Sequence, residues 1–175
     1  MTARETIETA VVTLMDALRL PRTEGNRNTP KRVAKMWTEE LCAGRNASAA
    51  DILGTTFPAE SYAGPVVMRD IPFYSTCEHH LLPFFGKATV GYVPGARIVG
   101  LSKLARLVQT LARQPQTQEA LTARIADALQ VLSPRGTLVR LEATHMCMAM
   151  RGAQAQGATT ATQETRGVAI NVDHR

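Results

Sequence analysis

Hydrophobic residues near the start of the chain follow a helical spacing. They recur every three or four positions, at Ile7, Val11, Met15 and Leu18. This spacing predicts an amphipathic helix over about residues 4 to 19 that ends before Pro21. Thr29 as N-cap and Pro30 at the first helical position predict a second helix, from about residue 30 to 42.

The middle and the end of the chain mix strand and helix patterns. Residues 44 to 64 are irregular and rich in Ala, Gly and Ser, which predicts a surface connection with little regular structure. β-branched and aromatic residues predict strands over residues 66 to 71 and 84 to 93. Apolar stripes predict one helix that starts at Ser102 as N-cap and another from about 116 to 132. The remainder alternates like strands, in "TLVRLEATHMCMAMR" and "TTATQETRGVAINV".

Length and composition favour a single soluble domain. The 175 residues are 45% hydrophobic, which is enough to bury a core without disulfide or metal support. No apolar run has the roughly 18 residues of a membrane span, and the start carries acidic residues where a signal peptide is basic. We therefore expect a cytoplasmic protein. In that setting the odd number of cysteines, three, favours ligands, nucleophiles or buried thiols over disulfides.

The net charge indicates an anionic partner. Lysine and arginine number 20 against 15 aspartates and glutamates. The basic residues are scattered, aromatic residues are 5% of the chain, and none of the usual nucleic-acid-binding motifs is found. These features argue against nucleic acid, and a small phosphorylated ligand fits the charge at least as well. A charge that serves only solubility is the alternative.

Histidine and cysteine concentrate in two short segments. Three of the four histidines and two of the three cysteines lie within residues 77 to 80 and 145 to 147. In the first segment, Cys77 and His80 have the C-x-x-H spacing at which a tight turn aims two side chains at one metal ion. In the second, strand periodicity predicts a common face for His145, Cys147 and Arg151.

The two segments together offer a mixed sulfur and nitrogen ligand set. Cys77, His80 and Cys147 are donors that zinc prefers, and three protein ligands leave one position open. A water can bind at the open position, and the zinc ion lowers the pKa of that water toward about 7. His79 and His145 would then be free to carry protons. If either of them is instead the fourth ligand, the site is closed and structural, and spacing alone leaves both alternatives open.

Several motifs resemble the GTP cyclohydrolase I family in order and spacing. They are "STCEHHLLPFFGKATVGYVP", "IVGLSKLARLVQ", "QTQEALT" and "ATHMCMAMRG", and the likeness runs from "NTPKRVAKMW" to "RGVAI". The resemblance implies an α+β tunnelling fold, in which helices back an antiparallel sheet. It implies one domain over residues 1 to 175, with N-terminal helices in 1 to 43 and a catalytic core in 65 to 172. It also implies a homodecamer of two stacked pentamers, with active sites between subunits.

The resemblance also implies an activity and a site. Family members convert GTP and water to 7,8-dihydroneopterin triphosphate and formate, with Zn²⁺ as the only cofactor. By likeness the zinc ligands are Cys77, His80 and Cys147, and the proton-transfer residues are His79 and His145. Neither nucleic acid nor a membrane is implied as a partner. The implied substrate contacts are Gln118, Glu119, Ser102, Lys103, Arg106, Arg151, Arg32 and Lys35.

Each implied substrate contact has a chemical reason. Glu119 suits the guanine edge because guanine N1 and N2 are both donors, and Gln118 matches the neighbouring position. Ser102 stands at a helix start, where free N–H groups favour the ribose and triphosphate. The remaining contacts are cations that would grip phosphate oxygens: Lys103, Arg106, Arg151, Arg32 and Lys35.

Residues near these motifs have plainer interpretations. Cys42 is expected to pack as a small apolar side chain or to lie near the surface, and His174 is expected to be solvated. Glu78 either orients a ligand histidine or faces water. The methionines that alternate with the predicted ligand face are expected in the core: Met146, Met148 and Met150.

The sequence departs from the family at its end and leaves two other functions to consider. The C-terminal helix of many members is largely absent after "RGVAINVDHR", which we expect to weaken assembly. One alternative is another tunnelling-fold enzyme that acts on a different purine or pterin. The second is a zinc-stabilised ring protein that binds GTP without turnover. Both non-ligand histidines are present, which disfavours simple binding.

Overall fold

A computed structural model of the protein describes residues 1–171. The chain folds into two compact units, Met1–Ala43 and a second that begins at Gly44. In the first unit, α1 spans Ala3–Ala17 and α2 spans Thr29–Lys35, continued by a wider π-helical segment, Met36–Leu41. Both predicted helices are therefore present.

The ends of these helices follow from their capping residues. The Thr2 hydroxyl accepts a hydrogen bond from the backbone N–H of Glu5, whose carboxylate accepts one from the N–H of Thr2, which makes a reciprocal cap for α1. For α2 the predicted N-cap is wrong by one residue. Asn28 caps the helix and Thr29 is already helical, while Pro30 occupies the first turn.

The second unit is built on a five-stranded sheet. Its strands are β2 (Val66–Cys77), β3 (Pro83–Val93), β5 (Pro115–Gln116), β6 (Gly136–His145) and β7 (Thr160–Gly167). The spatial order is β5-β2-β3-β6-β7, and every pairing is antiparallel except the two-residue pairing of β2 with β5.

Helices cover one face of this sheet. They are α4 (Leu101–Leu111), α5 (Gln118–Ala128), a 3₁₀ turn after α5 (Leu129–Leu132) and the one-turn α6 (Met146–Ala149). Their apolar stripes, which include Leu104, Leu107 and Ile125, are fully buried against Phe73, Val90 and other strand residues. The predicted α+β class is confirmed.

A second, smaller core lies on the sheet beyond the main one. Val93 and Leu138, from adjacent strands, pack with Ile170, and Val67 borders the cluster. Ile170 is 8% exposed. The segment that follows β7 is thus anchored on the sheet. His174, predicted to be solvated, lies outside the described residues.

The predicted surface connection over residues 44 to 64 differs from the structure. Residues 44 to 64 contain a short helix, α3 (Ala49–Leu53), and a strand, β1 (Thr56–Pro58), which pairs with β4 (Arg97–Val99). Both are short and their pairing is distant in sequence, so local periodicity does not reveal them.

Helix starts differ by one or two residues from the predicted positions. α4 begins at Leu101 after Gly100, so Ser102 lies inside the first turn and is not the cap. α5 begins at Gln118, where the Thr117 hydroxyl accepts a hydrogen bond from the N–H of Ala120. Predicted boundaries of this kind are uncertain by about two residues, because terminal turns lack intrahelical partners.

The predicted strand over "TLVRLEATHMCMAMR" ends at His145, and α6 follows. Met148 and Met150 are 41% and 58% exposed, so their predicted place in the core is wrong. The helical turn breaks the alternation that would have pointed them inward.

Close contact between β3 and β6 depends on a glycine. An ideal Cβ atom at Gly86 would lie 1.8 Å from the backbone oxygen of Glu142. No side chain fits in that space. The two strands therefore approach closely at Gly86 of β3 and Glu142 of β6. Gly86 lies two residues before Ala88, and Glu142 lies three residues before His145.

Among residues 1–171, no helix combines the length and apolar character needed to cross a membrane.

Candidate functional site

The site lies at one end of the sheet, where β2 and β6 end and β3 begins. β2 ends at Cys77 and β3 begins at Pro83, so a tight turn joins them. The antiparallel register places Phe84 of β3 opposite His145, the last residue of β6. The turn and the end of β6 therefore meet at the same end of the sheet, which brings the two histidine and cysteine segments together.

Backbone hydrogen bonds close the turn. The N–H of Leu81 donates to the carbonyl of Cys77 over 2.8 Å, and the N–H of Cys77 donates to the carbonyl of Leu82 over 2.8 Å. Leu81 has a φ of 54°, in the left-handed region that is costly for a residue with a side chain. In this turn the sulfur of Cys77 lies 3.9 Å from Nδ1 of His80.

Cys147 reaches the site from α6. The predicted strand face shared by His145, Cys147 and Arg151 is wrong, because the strand ends at His145. The helical turn still places the sulfur of Cys147 3.9 Å from that of Cys77. Arg151, one turn further on, donates a hydrogen bond to the backbone oxygen of Cys147.

Cys77, His80 and Cys147 form a compact group of donors. Their ligand atoms all lie within 4.8 Å of one another. In a tetrahedral zinc site, bond lengths of about 2.0–2.3 Å separate ligand atoms by roughly 3.4–3.8 Å. The two separations of 3.9 Å from the sulfur of Cys77, to Nδ1 of His80 and to the sulfur of Cys147, are close to these values. Cys77 is buried while His80 is exposed, so the group opens toward solvent on the histidine side.

His79 points to the exposed side of the turn. Its side chain is 64% exposed, and its Nε2 lies 3.8 Å from the carboxylate of Glu78. Its Nδ1 is 3.9 Å from the sulfur of Cys77, as near as that of His80. Glu78 thus contacts His79, the histidine outside the compact donor group.

His145 is held from two sides. Its ring stacks on that of Phe84, with centroids 4.7 Å apart and an angle of 1° between the planes. Its Nε2 lies 2.8 Å from Oε1 of Gln118. Phe84 was not predicted as a site residue, because only the register of β3 and β6 reveals the stack.

Gln118 is buried, and its amide is fully used inside the protein. Its Nε2 donates to the backbone oxygens of Leu141 and Thr160 and to the hydroxyl of Thr162, over 3.0–3.2 Å. These acceptors orient the amide so that Oε1 faces His145. The predicted contact of Gln118 with guanine stays a prediction. What the structure adds is a hydrogen bond between Gln118 and His145.

The orientation of Gln118 assigns the tautomer of neutral His145. Since Oε1 of Gln118 only accepts, Nε2 of His145 carries the proton and Nδ1 carries the lone pair. Burial lowers the pKa of His145, and the nearby carboxylate of Glu119 opposes this shift. Nδ1 is therefore the nitrogen that can accept a proton near neutral pH.

The Cys147 thiol has a shifted pKa. Burial raises it, and the hydrogen bond with the neighbouring Cys77 raises it further, while Arg151 acts in the opposite direction. A metal cation would reverse this shift, because thiolates are the form that binds metal.

The other predicted substrate contacts lie on helices near their starts. Ser102, Lys103 and Arg106 are on the first turns of α4, where Ser102 and Arg106 are exposed and Lys103 is half-buried. Glu119 is exposed in the first turn of α5. Across the described residues, the side chains of Lys103 and Arg106 have no hydrogen-bond or ion-pair partner. Both cations are free to bind an anion.

Arg32 and Lys35 lie on α2, in the first unit. Lys35 is 3.9 Å from the carboxylate of Glu39, four residues further on. Phosphate binding by these two residues stays a prediction. Cys42, at the end of the same unit, is a half-buried free thiol.

Known proteins resemble the chain over almost all of its length. The family model described as GTP cyclohydrolase I matches residues 7–175. A protein of Halalkalibacterium halodurans named GTP cyclohydrolase 1 is 51% identical over 170 residues, which cover 95% of this chain and 89% of that protein. A protein of the same name from Allorhizobium ampelinum is 53% identical over 168 residues, covering 94% of this chain and 83% of that protein.

A solved structure of lower similarity is the archaeosine synthase QueF-Like in the apo form. It is 12% identical, with a TM-score of 0.49, over 61% of this chain and 97% of that one. Likeness at this level says nothing about activity. The family model and the two sequence relatives, in contrast, include both segments that build the donor group, and with them the chain belongs to the GTP cyclohydrolase I family.

Proposed function

We propose that this protein is a zinc-dependent GTP cyclohydrolase I that converts GTP and water to 7,8-dihydroneopterin triphosphate and formate. One observation carries the proposal. In a chain of this family, two distant segments place two sulfurs and one imidazole nitrogen within 4.8 Å of one another. Neither segment alone supplies all three donors, and the fold joins them.

The donor set fits zinc better than a harder cation. Two thiols and one imidazole are the soft and borderline ligands that zinc prefers, whereas magnesium and calcium take oxygen ligands. The sulfur pair at 3.9 Å matches the roughly 3.8 Å expected between two thiolates on one tetrahedral ion. When bound through three ligands, zinc supplies a water of low pKa for hydrolysis.

Within the proposed site, His145 is the half-buried proton carrier. Its ring is immobilised between Phe84 and Gln118, so Nδ1 keeps one direction. Because burial lowers its pKa, the imidazole is neutral at pH 7 and can accept a proton through Nδ1. His79 is the exposed proton carrier, and the carboxylate of Glu78 lies near its Nε2.

Recognition of guanine falls to Glu119. Its carboxylate is exposed at the start of α5 and close enough to His145 to influence its pKa. A carboxylate accepts from guanine N1 and N2 together, and adenine lacks that pair of donors. Gln118, the preceding residue, supports Glu119 indirectly by fixing His145.

The triphosphate would be bound by the cations that the family resemblance implies. We propose Lys103, Arg106 and Arg151 in the second unit, with Ser102 at the start of α4. Phosphate binding by Arg32 and Lys35, on α2, is proposed from the family resemblance alone. Several cations are needed because a triphosphate carries about four negative charges, and guanidinium groups bind its oxygens in pairs.

The finer architecture is also part of the proposal. We infer a tunnelling fold whose subunits join into a homodecamer in the cytoplasm. β7 forms an edge of the sheet, and its outer backbone groups have no strand partner among the described residues. An edge of this kind pairs readily with a strand of another subunit.

The decisive test is incubation of zinc-loaded protein with GTP. We expect formate together with a pterin that fluoresces after oxidation. GTP binding without either product would replace the proposal with a non-catalytic GTP-binding protein. A different purine or pterin as the only substrate would point to another enzyme with this fold.

Variants separate the roles of the site residues. Cys147→Ala is expected to lose zinc, because two protein ligands hold the ion poorly. His79→Ala and His145→Ala should keep zinc and lose turnover by a factor of about 10²–10⁴. Cys42→Ala is the matched control and should keep both. Full zinc content in Cys147→Ala would contradict the ligand assignment.

A further inference from the structure

A buried polar network lies beside the metal turn, and the proposed chemistry does not use it. Its centre is Gln116, which is 2% exposed. Nε2 of Gln116 donates to the backbone oxygen of Leu111 over 2.8 Å and to the hydroxyl of Ser75 over 3.2 Å. The Ser75 hydroxyl in turn donates to the carbonyl of Ala112 over 2.7 Å. The network therefore ties β5 both to β2 and to the end of α4.

Arg124 of α5 completes this network from the other side. Its Nη1 donates to Oε1 of Gln116 over 2.7 Å and to the backbone oxygen of Leu111 over 3.3 Å. Gln114 is the other donor to that Oε1, at 3.4 Å, so the arginine makes the shorter contact. Because Oε1 is held by a cation, Nε2 must face Leu111 and Ser75.

The environment of Arg124 is unusual for an arginine. The side chain is half-buried, and none of the carboxylates in residues 1–171 lies within ion-pair distance of it. Its charge is balanced by carbonyl dipoles, and one of them belongs to Leu111, the last residue of α4. A cation at a helix C-terminus is favoured by the helix dipole. A buried cation without a carboxylate partner is costly unless such acceptors are fixed around it.

Gln116 connects this network to the site. It pairs with Cys77 in the two-residue parallel contact of β5 with β2. Its backbone oxygen accepts a hydrogen bond from the N–H of Glu78 over 3.4 Å. Two residues later α5 begins at Gln118, which holds His145. One residue thus borders both the metal turn and the helix start that orients the proton carrier.

We propose that Arg124 is a positioning residue that acts through Gln116 to fix Cys77 relative to the start of α5. Arg124 does not touch the metal donors or the proposed substrate contacts. It sets the distance between Cys77 and the start of α5 by holding the β2–β5 junction in one arrangement. The inference rests on the proposed function for its kinetic consequence, but its structural consequence is independent of turnover.

The test compares Arg124→Ala and Arg124→Lys with the wild-type protein, each loaded with Co²⁺ in place of zinc. We expect the absorption bands of the thiolate-bound Co²⁺ to shift in Arg124→Ala, because the ligands move. With zinc and GTP, kcat should fall by between about tenfold and about a hundredfold, the cost of a misplacement of about 1 Å. KM for GTP should change by less than about threefold, because no substrate contact is removed.

Two further variants make the result specific. Arg124→Lys keeps a cation with several donors and should restore most of the Co²⁺ spectrum and of kcat. Arg113→Ala, an exposed arginine in the same connection, is the matched control and should leave both unchanged. If Arg124→Ala does not fold, Arg124→Met keeps the aliphatic stem without the donors and carries the same expectations.

A folded Arg124→Ala or Arg124→Met protein with the wild-type Co²⁺ spectrum and kcat would overturn the inference. A lower melting temperature alone, with spectrum and kcat unchanged, would do the same, since it would show a purely structural role. If the wild-type protein releases no formate from GTP, the proposed function fails. The Co²⁺ comparison still decides the role of Arg124 in that case.

Discussion

Gln118 and His145 are joined by a 2.8 Å hydrogen bond between the start of α5 and the end of β6. The bond gives the glutamine a role in orienting the histidine, since every polar atom of its amide has a partner inside the protein. A residue that hydrogen-bonds to a catalytic histidine often affects the reaction in this way, because it fixes the tautomer and the ring orientation of that histidine.

Replacement of Gln118 by alanine should lower both stability and turnover. The backbone oxygens of Leu141 and Thr160 would lose their donor, which costs roughly 1–3 kcal/mol for buried groups. His145 would be free to rotate or change tautomer, and kcat should fall by about tenfold or more. Urea unfolding and steady-state kinetics with GTP measure the two effects.

Gln109→Ala provides the control for Gln118→Ala. Gln109 is exposed on α4, and its loss should change the free energy of unfolding by less than about 0.5 kcal/mol. Normal stability and kcat in Gln118→Ala would show that the hydrogen bond to His145 has no function.

The lowered pKa of His145 predicts how stability depends on pH. Because burial favours the neutral ring, the unfolded chain binds more protons than the folded one between the folded pKa and about 6.5. The contribution of His145 is therefore fully present above about pH 6.5 and is lost as the pH falls. Between pH 8 and pH 5.5 the wild-type protein should therefore lose more unfolding free energy than His145→Phe, which lacks the titrating ring.

Glu119→Gln tests the same linkage in the opposite direction. The Glu119 carboxylate raises the pKa of His145, so its neutralisation should make the otherwise unchanged protein more sensitive to acid. Identical pH profiles for wild-type protein and His145→Phe would show that His145 does not take part in the acid destabilisation.

The backbone at Leu81 predicts an unusual response to glycine. With φ at 54° and a side chain that is 55% exposed, Leu81 carries strain and loses little burial on truncation. Leu81→Gly should therefore leave stability unchanged or raise it by up to about 1 kcal/mol. Leu81→Val should lower it by about 1 kcal/mol or more, because a β-branched side chain fits this region worst.

Leu101→Gly is the comparison for Leu81→Gly in thermal unfolding. Leu101 is 59% exposed but helical, at the start of α4, so glycine there should cost about 0.5 kcal/mol or more. An equal loss of stability in both glycine variants would mean that Leu81 is not strained.

Local spacing was sufficient to predict the long helices and strands, since each repeats its pattern over at least two turns or several alternations. It also grouped Cys77 with His80, because their contact is made within one turn. α6 was missed because a single turn of four residues is too short for a periodicity to show. Cys147 nevertheless reaches Cys77, since the position of β6 beside β3 brings it there whatever the local conformation.

Long-range contacts explain what the sequence did not reveal. The pairing of β1 with β4, the stack of His145 on Phe84 and the contact of Gln118 with Thr160 each join residues far apart in the chain. Their partners depend on register and topology, which no single segment encodes. Gln118 is an example: the family resemblance implied a guanine contact, which stays a prediction, and only the fold shows that its side-chain amide also has partners inside the protein.

Gly86 carries no chemistry, yet the geometry of the site depends on its missing side chain. Even a methyl group there would collide with the main chain of β6 and push that strand outward. His145 and Cys147 would travel with it, away from Cys77. A mutational survey that looks only for reactive side chains would overlook this position, although Gly86→Ala should disable the protein as surely as the loss of a ligand.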